Sequence, residues 1–429
     1  MEPLSERDIR DMRKYGKEVS GPIVYAFTEW VLERAVKLGI HRLWFLARDG
    51  YLPYLIARKI CVLRGLRVEC KYLYCSRKSL RSASYHLISD GEISAQLFTF
   101  GYYVSLDSFL ARLDIGEQKR REIIRELGVK NPDVPLSRDE FSKICDRVSA
   151  DREIFEIIRA HSKEKYSSAI SYFESVGLTE CDTVAIVDSG WTGSMQHSLK
   201  VLLDSLGYKG KLLGFYFGMY SDKDRSDGEH YTYYFSVEKG ILRRAFFNNN
   251  LLECMLSAPH PMTEKYSFIA GVPRPCFEDF RGFDMHRMVL AQICGALDFT
   301  DTKIGKNKNN NTAEQNKRSI FEIVFRAMIC PRRRDAQLFS KFLFCDDITE
   351  KYMHSLADEN MLFELREYMI IPRIFHRIFK TPKAQKSLLW PYGVTAYLPW
   401  HLRLWYRGNL LAWDFIKSLR QGFTSIFRR

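Results

Sequence analysis

The run Thr183-Val184-Ala185-Ile186-Val187-Asp188-Ser189-Gly190-Trp191-Thr192-Gly193-Ser194 constrains this chain more than any other stretch. An unbroken apolar run of small and β-branched residues is the pattern of a strand buried on both faces, and such strands belong to parallel sheets covered by helices. The run stops at an acid, crosses a short Gly/Thr/Ser loop and enters helical spacing from Met195 to Leu206, before a second apolar run from Lys211 to Tyr220. The same grammar stands earlier in the chain. Helical spacing over Pro22–Leu38 ends at Gly39. The apolar run Arg42–Ala47 meets Arg48-Asp49-Gly50, helical spacing resumes over Tyr51–Leu63, and Val68–Cys75 reads as the next strand. Strands alternating with helices predict an α/β fold with a parallel sheet flanked by helices.

Other regions depart from that grammar. Residues 90–175 are charge-rich and amphipathic, and predict a helical insertion that forms a cap. Residues 229–272 alternate aromatic and polar positions, consistent with a hairpin and lid, and contain the short helical pattern Leu251–Leu256. The stretch TKIGKNKNNNTAEQNKR has almost no apolar content and predicts an exposed loop or linker, hence a boundary near 300. The expected organisation is an α/β core from 1–89 and 176–300, the insertion between them, a linker over 301–318, and a mainly helical region over 319–429.

Several function classes fall away on composition. Ten cysteines lie without a CxxC pair, which argues against a zinc knuckle and for reduced thiols in the cytoplasm. The N-terminus MEPLSERDIRDMRKYGKE is polar from its start and predicts no signal peptide, and no uncharged apolar run reaches membrane-spanning length. Lysine and arginine outnumber acidic residues 65 to 52, a net charge of +13 that favours anionic partners.

The 188–194 loop is where such a partner would bind. Backbone N–H groups around Gly190 and Gly193 and the hydroxyls of Thr192 and Ser194 can surround a phosphate, with Asp188 at the strand's carboxyl end, the ligand-binding edge of an open α/β sheet. A tight strand-to-helix turn is the plain alternative. Arg77, Lys78 and Arg81 follow a buried strand and read either as anion ligands or as a solvated run. Glu253, among Leu251, Leu252, Met255 and Leu256, is either an acid facing the site or the solvent side of a short helix. His86, His197 and His260 lack metal-ligand spacing and read as ordinary polar or core histidines.

The strand, acid and TGxS loop resemble the phosphoribosyl-diphosphate loop of type I phosphoribosyltransferases, and FLARDGYLPYLIARKI resembles that family's strand and pyrophosphate loop. Ser189 stands where the family has a second acid, and the spacer is one residue shorter. The wider set GPIVYAFTEW, FLARDGY, YLYCSRKSL, VDSGWTGSMQ and LLECMLSAPHP is similar to bacterial polysaccharide-cluster proteins often fused to haloacid-dehalogenase-type phosphatases. That resemblance, over about residues 20–270, implies a phosphoribosyltransferase-like sheet and transfer of 5-phosphoribose from phosphoribosyl diphosphate to a lipid-linked glycan of O-antigen or capsule type. It implies Mg²⁺ held by Asp49 and Asp188, with Arg48 beside them as catalytic residues, and a separate phosphatase acting later. Gly50, Arg77, Lys78, Ser189, Gly190, Thr192, Gly193, Ser194 and Glu253 would bind substrate.

Two enzyme classes are disfavoured in the same segments. FLARDGYL imitates the haloacid-dehalogenase loop, yet the nucleophile position holds Ala47, so no phosphoaspartyl enzyme can form. No GxxxxGK[ST] follows any strand. From Trp390 to Arg429, tryptophans and phenylalanines interleave with cations, and Asp414 is the only acid. This segment reads as an anchor on an anionic membrane surface at the inner membrane face, as ordinary helix packing, or as a stacking surface for RNA. No RNA-binding motif accompanies it, and nucleic acid is not expected as a partner.

Overall fold

The computed structural model describes residues 4–101, 104–221, 227–279, 282–306, 313–344, 353–378 and 388–426. Helix α1 (Glu6–Tyr15) passes through a π turn into α2 (Gly21–Lys37), and then come β1 (Arg42–Leu46), α3 (Tyr51–Arg64), β2 (Glu69–Leu73) and α4 (Arg77–Ser84). A run of helices follows: α5 (Asp90–Leu97), α6 (Leu106–Arg112), α7 (Gly116–Glu126), α8 (Arg138–Ser149) and α9 (Arg152–Ser175). The sheet resumes with β3 (Thr183–Trp191), α10 (Ser194–Ser205), β4 (Lys211–Met219) and β5 (Glu229–Phe235). These five strands pair in the order β2-β1-β3-β4-β5, all parallel.

Side-chain alternation explains why the strand runs are continuously apolar. Leu43 and Phe45 of β1 enter one core while Trp44 and Leu46 enter the other, and Ala185 and Val187 of β3 oppose Val184 and Ile186 in the same way. Helix α3 lies in the first core through Leu52, Ile56 and Ile60, whereas α10 lies in the second through Leu199, Leu202 and Leu203. The chain therefore leaves β1 toward one face of the sheet and β3 toward the other. Between these adjacent strands the connection reverses, which opens a crevice at their carboxyl ends.

The helices of residues 90–175 bury their own cluster around Phe109, Phe141, Val148 and Ile158. The second half of α9 is not part of that cap: Ala169, Tyr172 and Phe173 cover the sheet. The aromatic–polar alternation after residue 229 is not a hairpin but the fifth parallel strand, because Phe215 and its neighbours in β4 offer it an unpaired edge. After α11 (Ile241–Ala245) and α12 (Asn249–Leu256), the hairpin is formed by β6 (Thr263–Ile269) and β7 (Val272–Phe277).

The expected break near 300 is replaced by a helix. Helix α13 (Phe283–Lys306) runs through it against α1 and α2, and α14 (Ala313–Ile329) begins inside the presumed linker, of which residues 307–312 lie outside the described residues. Then come α15 (Arg333–Phe339), a short pair β8 (Leu343–Phe344) and β9 (His354–Ser355), α16 (Ile370–Ile378), α17 (Pro391–Thr395) and α18 (Trp400–Ile426). Val324, Phe339, Trp390 and Leu410 share one core with α2 and α3, so the C-terminal helices are packed on the sheet domain. Trp390 is fully buried and its indole N–H donates to the Met328 carbonyl at 2.8 Å, which removes it from any surface anchor. Arg403 and Arg407 likewise turn inward, donating to the carbonyls of Ala396, Leu398 and Pro331. Among the described residues no helix is long and apolar enough to cross a membrane.

Candidate active site

The turn after β1 is built on backbone contact. The Gly50 N–H donates to the Leu46 carbonyl at 2.7 Å, and a Cβ on Gly50 would lie 2.5 Å from that oxygen, so only glycine closes this turn. Closure aims Arg48 and Asp49 over the sheet edge. Next door, β3 continues past Val187 to Trp191, with Asp188 opposite Tyr216, Gly190 opposite Gly218 and Trp191 opposite Met219 of β4.

That continuation corrects the loop expected over 188–194. Residues 188–191 belong to the ladder, leaving Thr192 and Gly193 as the turn, with Gly193 at φ +70° as the residue before α10. Backbone N–H groups of Ser189 and Gly190 point at the Asp188 carboxylate. Any phosphate cradle therefore reduces to the first turn of α10 with Ser194 and the exposed Thr192. Gly190 has φ +107°, and a Cβ there would lie 2.4 Å from the Gly218 carbonyl oxygen. Trp191 is bent into positive φ at +76°, a conformation few side chains adopt.

The crevice gathers three carboxylates. Asp49 accepts a short hydrogen bond from the Ser189 hydroxyl, which joins β3 to the β1 turn. Ser189 is buried and acts as this bridge in the place where the resembled family carries an acid. Burial raises the Asp49 pKa, while the Ser189 bond and the Arg48 and Arg77 charges oppose the rise. Burial and then the Asp49 charge push Asp188 up to about 7. Glu253 on α12 is pushed up to about 8 by burial and by Asp49 and Asp188, against the pull of Arg77 and of the Trp191 indole N–H, which donates to Oε1 at 2.6 Å. Carboxylates pushed upward beside two guanidiniums at a sheet's carboxyl edge make this crevice the candidate site.

The remaining expected residues divide. Arg77 opens α4 and is exposed at the crevice, where its charge acts on Asp49, Asp188 and Glu253. Lys78 does not join it. Its ammonium is held by Glu264 at 3.1 Å and Glu278 at 2.5 Å, tying α4 to the β6–β7 hairpin. Arg81 donates to the Gln96 carbonyl at 3.2 Å and is neither an anion ligand nor part of a solvated run.

Trp191 was not among the expected site residues, and His260 was expected to be an ordinary polar or core histidine. The His260 Nδ1 lies 2.8 Å from the Pro261 carbonyl, which can only accept, so Nε2 accepts from the Tyr72 hydroxyl, also at 2.8 Å. Burial and then the Arg48 charge lower its pKa against the pull of the Pro261 carbonyl, and neutral His260 packs among Tyr51, Tyr74 and Phe277 beside the crevice. The signal for Trp191 was its place between two glycines of one loop.

Among the described residues, no three His, Cys, Asp or Glu side chains gather into a metal site by themselves. Magnesium asks less of a protein, taking one or two carboxylates and completing its shell with substrate oxygens and water. Asp49 and Asp188, both half-buried and near enough for the charge of one to add to the rise in the other's pKa, fit that demand. Compared with known proteins, the chain matches no family model and no curated protein.

Proposed function

We propose that the protein is a phosphoribosyltransferase-type glycosyltransferase that binds phosphoribosyl diphosphate with Mg²⁺ in the crevice between β1 and β3. It would transfer 5-phosphoribose to a hydroxyl of a lipid-linked glycan in O-antigen or capsule biosynthesis. The observation that carries this reading is the pair Asp49 and Asp188 at the point where the sheet's connections reverse, flanked by Arg48 and Arg77. Asp49 and Asp188 would hold the magnesium, which supplies positive charge to the diphosphate. Arg48 and Arg77 add fixed cations where negative charge grows as the C1–O bond breaks. Asp49 and Asp188 would meet the diphosphate only through the metal, so donor binding should depend on it. Titration calorimetry with phosphoribosyl diphosphate, with and without Mg²⁺, tests this; absence of binding in both overturns it.

A second reading is favoured by the β3 ladder, which occupies the backbone of 188–191: an α/β module that binds a phosphorylated sugar or nucleotide without turning it over. A haloacid-dehalogenase-like chain without its nucleophile falls under the same reading, since Ala47 offers only a methyl group. Diphosphate release separates binding from turnover.

Membrane attachment belongs to the proposal as well. Trp400, Leu404 and Trp405 on α18 are 73%, 64% and 58% exposed, and Ile371 and Ile378 on the adjoining α16 are 79% and 66% exposed. Such helices lie in the plane of a bilayer interface with their apolar side chains at headgroup depth. The contact would come from these side chains more than from Arg403 or Arg407, which are spent on carbonyls. It would bring the enzyme to a lipid-linked acceptor, and the phosphate left on the product would be removed by a separate phosphatase.

A further inference from the structure

We propose that Glu253 is the general base that takes the proton from the attacking hydroxyl, and that Trp191 is the residue that positions it. The assignment rests on the transferase reading above. It begins with strand alternation. Ser189 and Trp191 project to the face of β3 that carries Val187 and α3, and Asp188 to the opposite face, above Tyr216. Glu253 comes to the first face from α12 and meets the indole there. Asp49, held by Ser189, and Glu253, reached from another element, thus share the first face, with Asp188 across from them.

The indole is held on three sides, by Phe247 with ring centroids 5.5 Å apart, Tyr220 at 5.8 Å and Phe235 stacked at 6.5 Å. Its backbone sits at φ +76°, a conformation maintained only where the surroundings impose it and one that concentrates at functional sites. The outcome is a single directed bond from Nε1–H to Oε1 of Glu253 at 2.6 Å. With Oε1 occupied, Oε2 is the oxygen left to receive a proton.

The setting agrees with that role. Glu253 is half-buried, with the Arg77 guanidinium acting on it from the crevice into which a substrate hydroxyl would enter. In the step itself the C1–O bond to diphosphate breaks and its electron pair leaves with the diphosphate. The hydroxyl oxygen forms the new bond to C1, its proton passes to Oε2, and solvent later takes that proton.

The test uses the full chain with phosphoribosyl diphosphate, Mg²⁺ and two nucleophiles, water and azide. Azide carries no proton to remove. Glu253→Gln should bind the donor like wild type, lower water-driven diphosphate release roughly 10²-fold, and leave azide-driven release within about threefold. Trp191→Phe keeps an aromatic ring and should lower kcat with water about tenfold, with unchanged donor KM and a displaced pH profile. Water-driven release by Glu253→Gln equal to wild type, or equal loss with water and azide, overturns the assignment while the transferase reading stands. Wild type that neither binds nor cleaves the donor overturns both.

Discussion

The Ser189 hydroxyl donates to Oδ2 of Asp49 and so bridges the two strands between which the sheet's connections change side. The bond holds Asp49 toward β3 and stabilises its charged form. Ser189→Ala should cost about 1 to 3 kcal/mol, the usual cost of leaving a buried charged group short of a partner. It should also weaken magnesium-dependent donor binding. Urea denaturation and calorimetry on the same preparation read both effects, and an unchanged midpoint with unchanged affinity would remove the bridge from the site.

Asp188 carries a pH signature with a definite sign. An unfolded aspartate titrates near ~4, whereas burial and Asp49 push Asp188 up to about 7 in the fold. Between those values the folded chain holds a proton that the unfolded chain has released. Its stabilising contribution is therefore full below about pH 4 and is lost as pH rises through about 7. Asp188→Asn removes this loss, and should gain on the order of 1 to 3 kcal/mol relative to wild type between pH 4 and pH 8. Diphosphate release should fall at the same time. Thermal denaturation across that range, with an assay at pH 7.5, checks the pair of outcomes.

Arg77 and Lys78 are neighbours with different duties. Arg77→Ala should raise the donor KM and lower kcat, a loss of about 1.5 to 3 kcal/mol for one charge-assisted contact, and Arg48→Ala should do the same. Lys78→Ala breaks the ties to Glu264 and Glu278, and should cost roughly 0.5 to 1 kcal/mol of stability with donor kinetics unchanged. Steady-state kinetics on the three variants decides whether the cleft is oriented as described.

The surface of α16 and α18 predicts vesicle binding driven by insertion of apolar side chains. Serine at Trp400, Leu404 and Trp405 together should abolish sedimentation with vesicles of anionic phospholipid, with donor affinity unchanged. Equal pelleting of variant and wild type would refute the contact. Removing Trp390–Arg429 is not an equivalent experiment, because Trp390, Val394 and Leu410 are core residues; truncation of one such aromatic alone costs about 3 to 5 kcal/mol.

The parallel α/β sheet was legible in the sequence because burial on both faces leaves no polar positions in a strand: Leu43–Leu46 and Val184–Val187 read as strands at sight. Gly50 and Asp188 were legible for a related reason, since a turn against backbone and a charge ending an apolar run are local facts. Pairing was not local. Whether Glu229–Phe235 folds back as a hairpin or completes a sheet depended on one edge of β4, and the opposite edge of the same strand drew residues 188–191 out of the expected loop into the ladder. Lys78 and Arg77 look alike in sequence. The β6–β7 hairpin, nearly two hundred residues away, presented Glu264 and Glu278 to one and left the other at the crevice. Sequence alone determined which residues could be buried or charged at the strand ends. The tertiary structure decided which carboxylates face one another, because like charges are forced together only when packing elsewhere in the core holds them there.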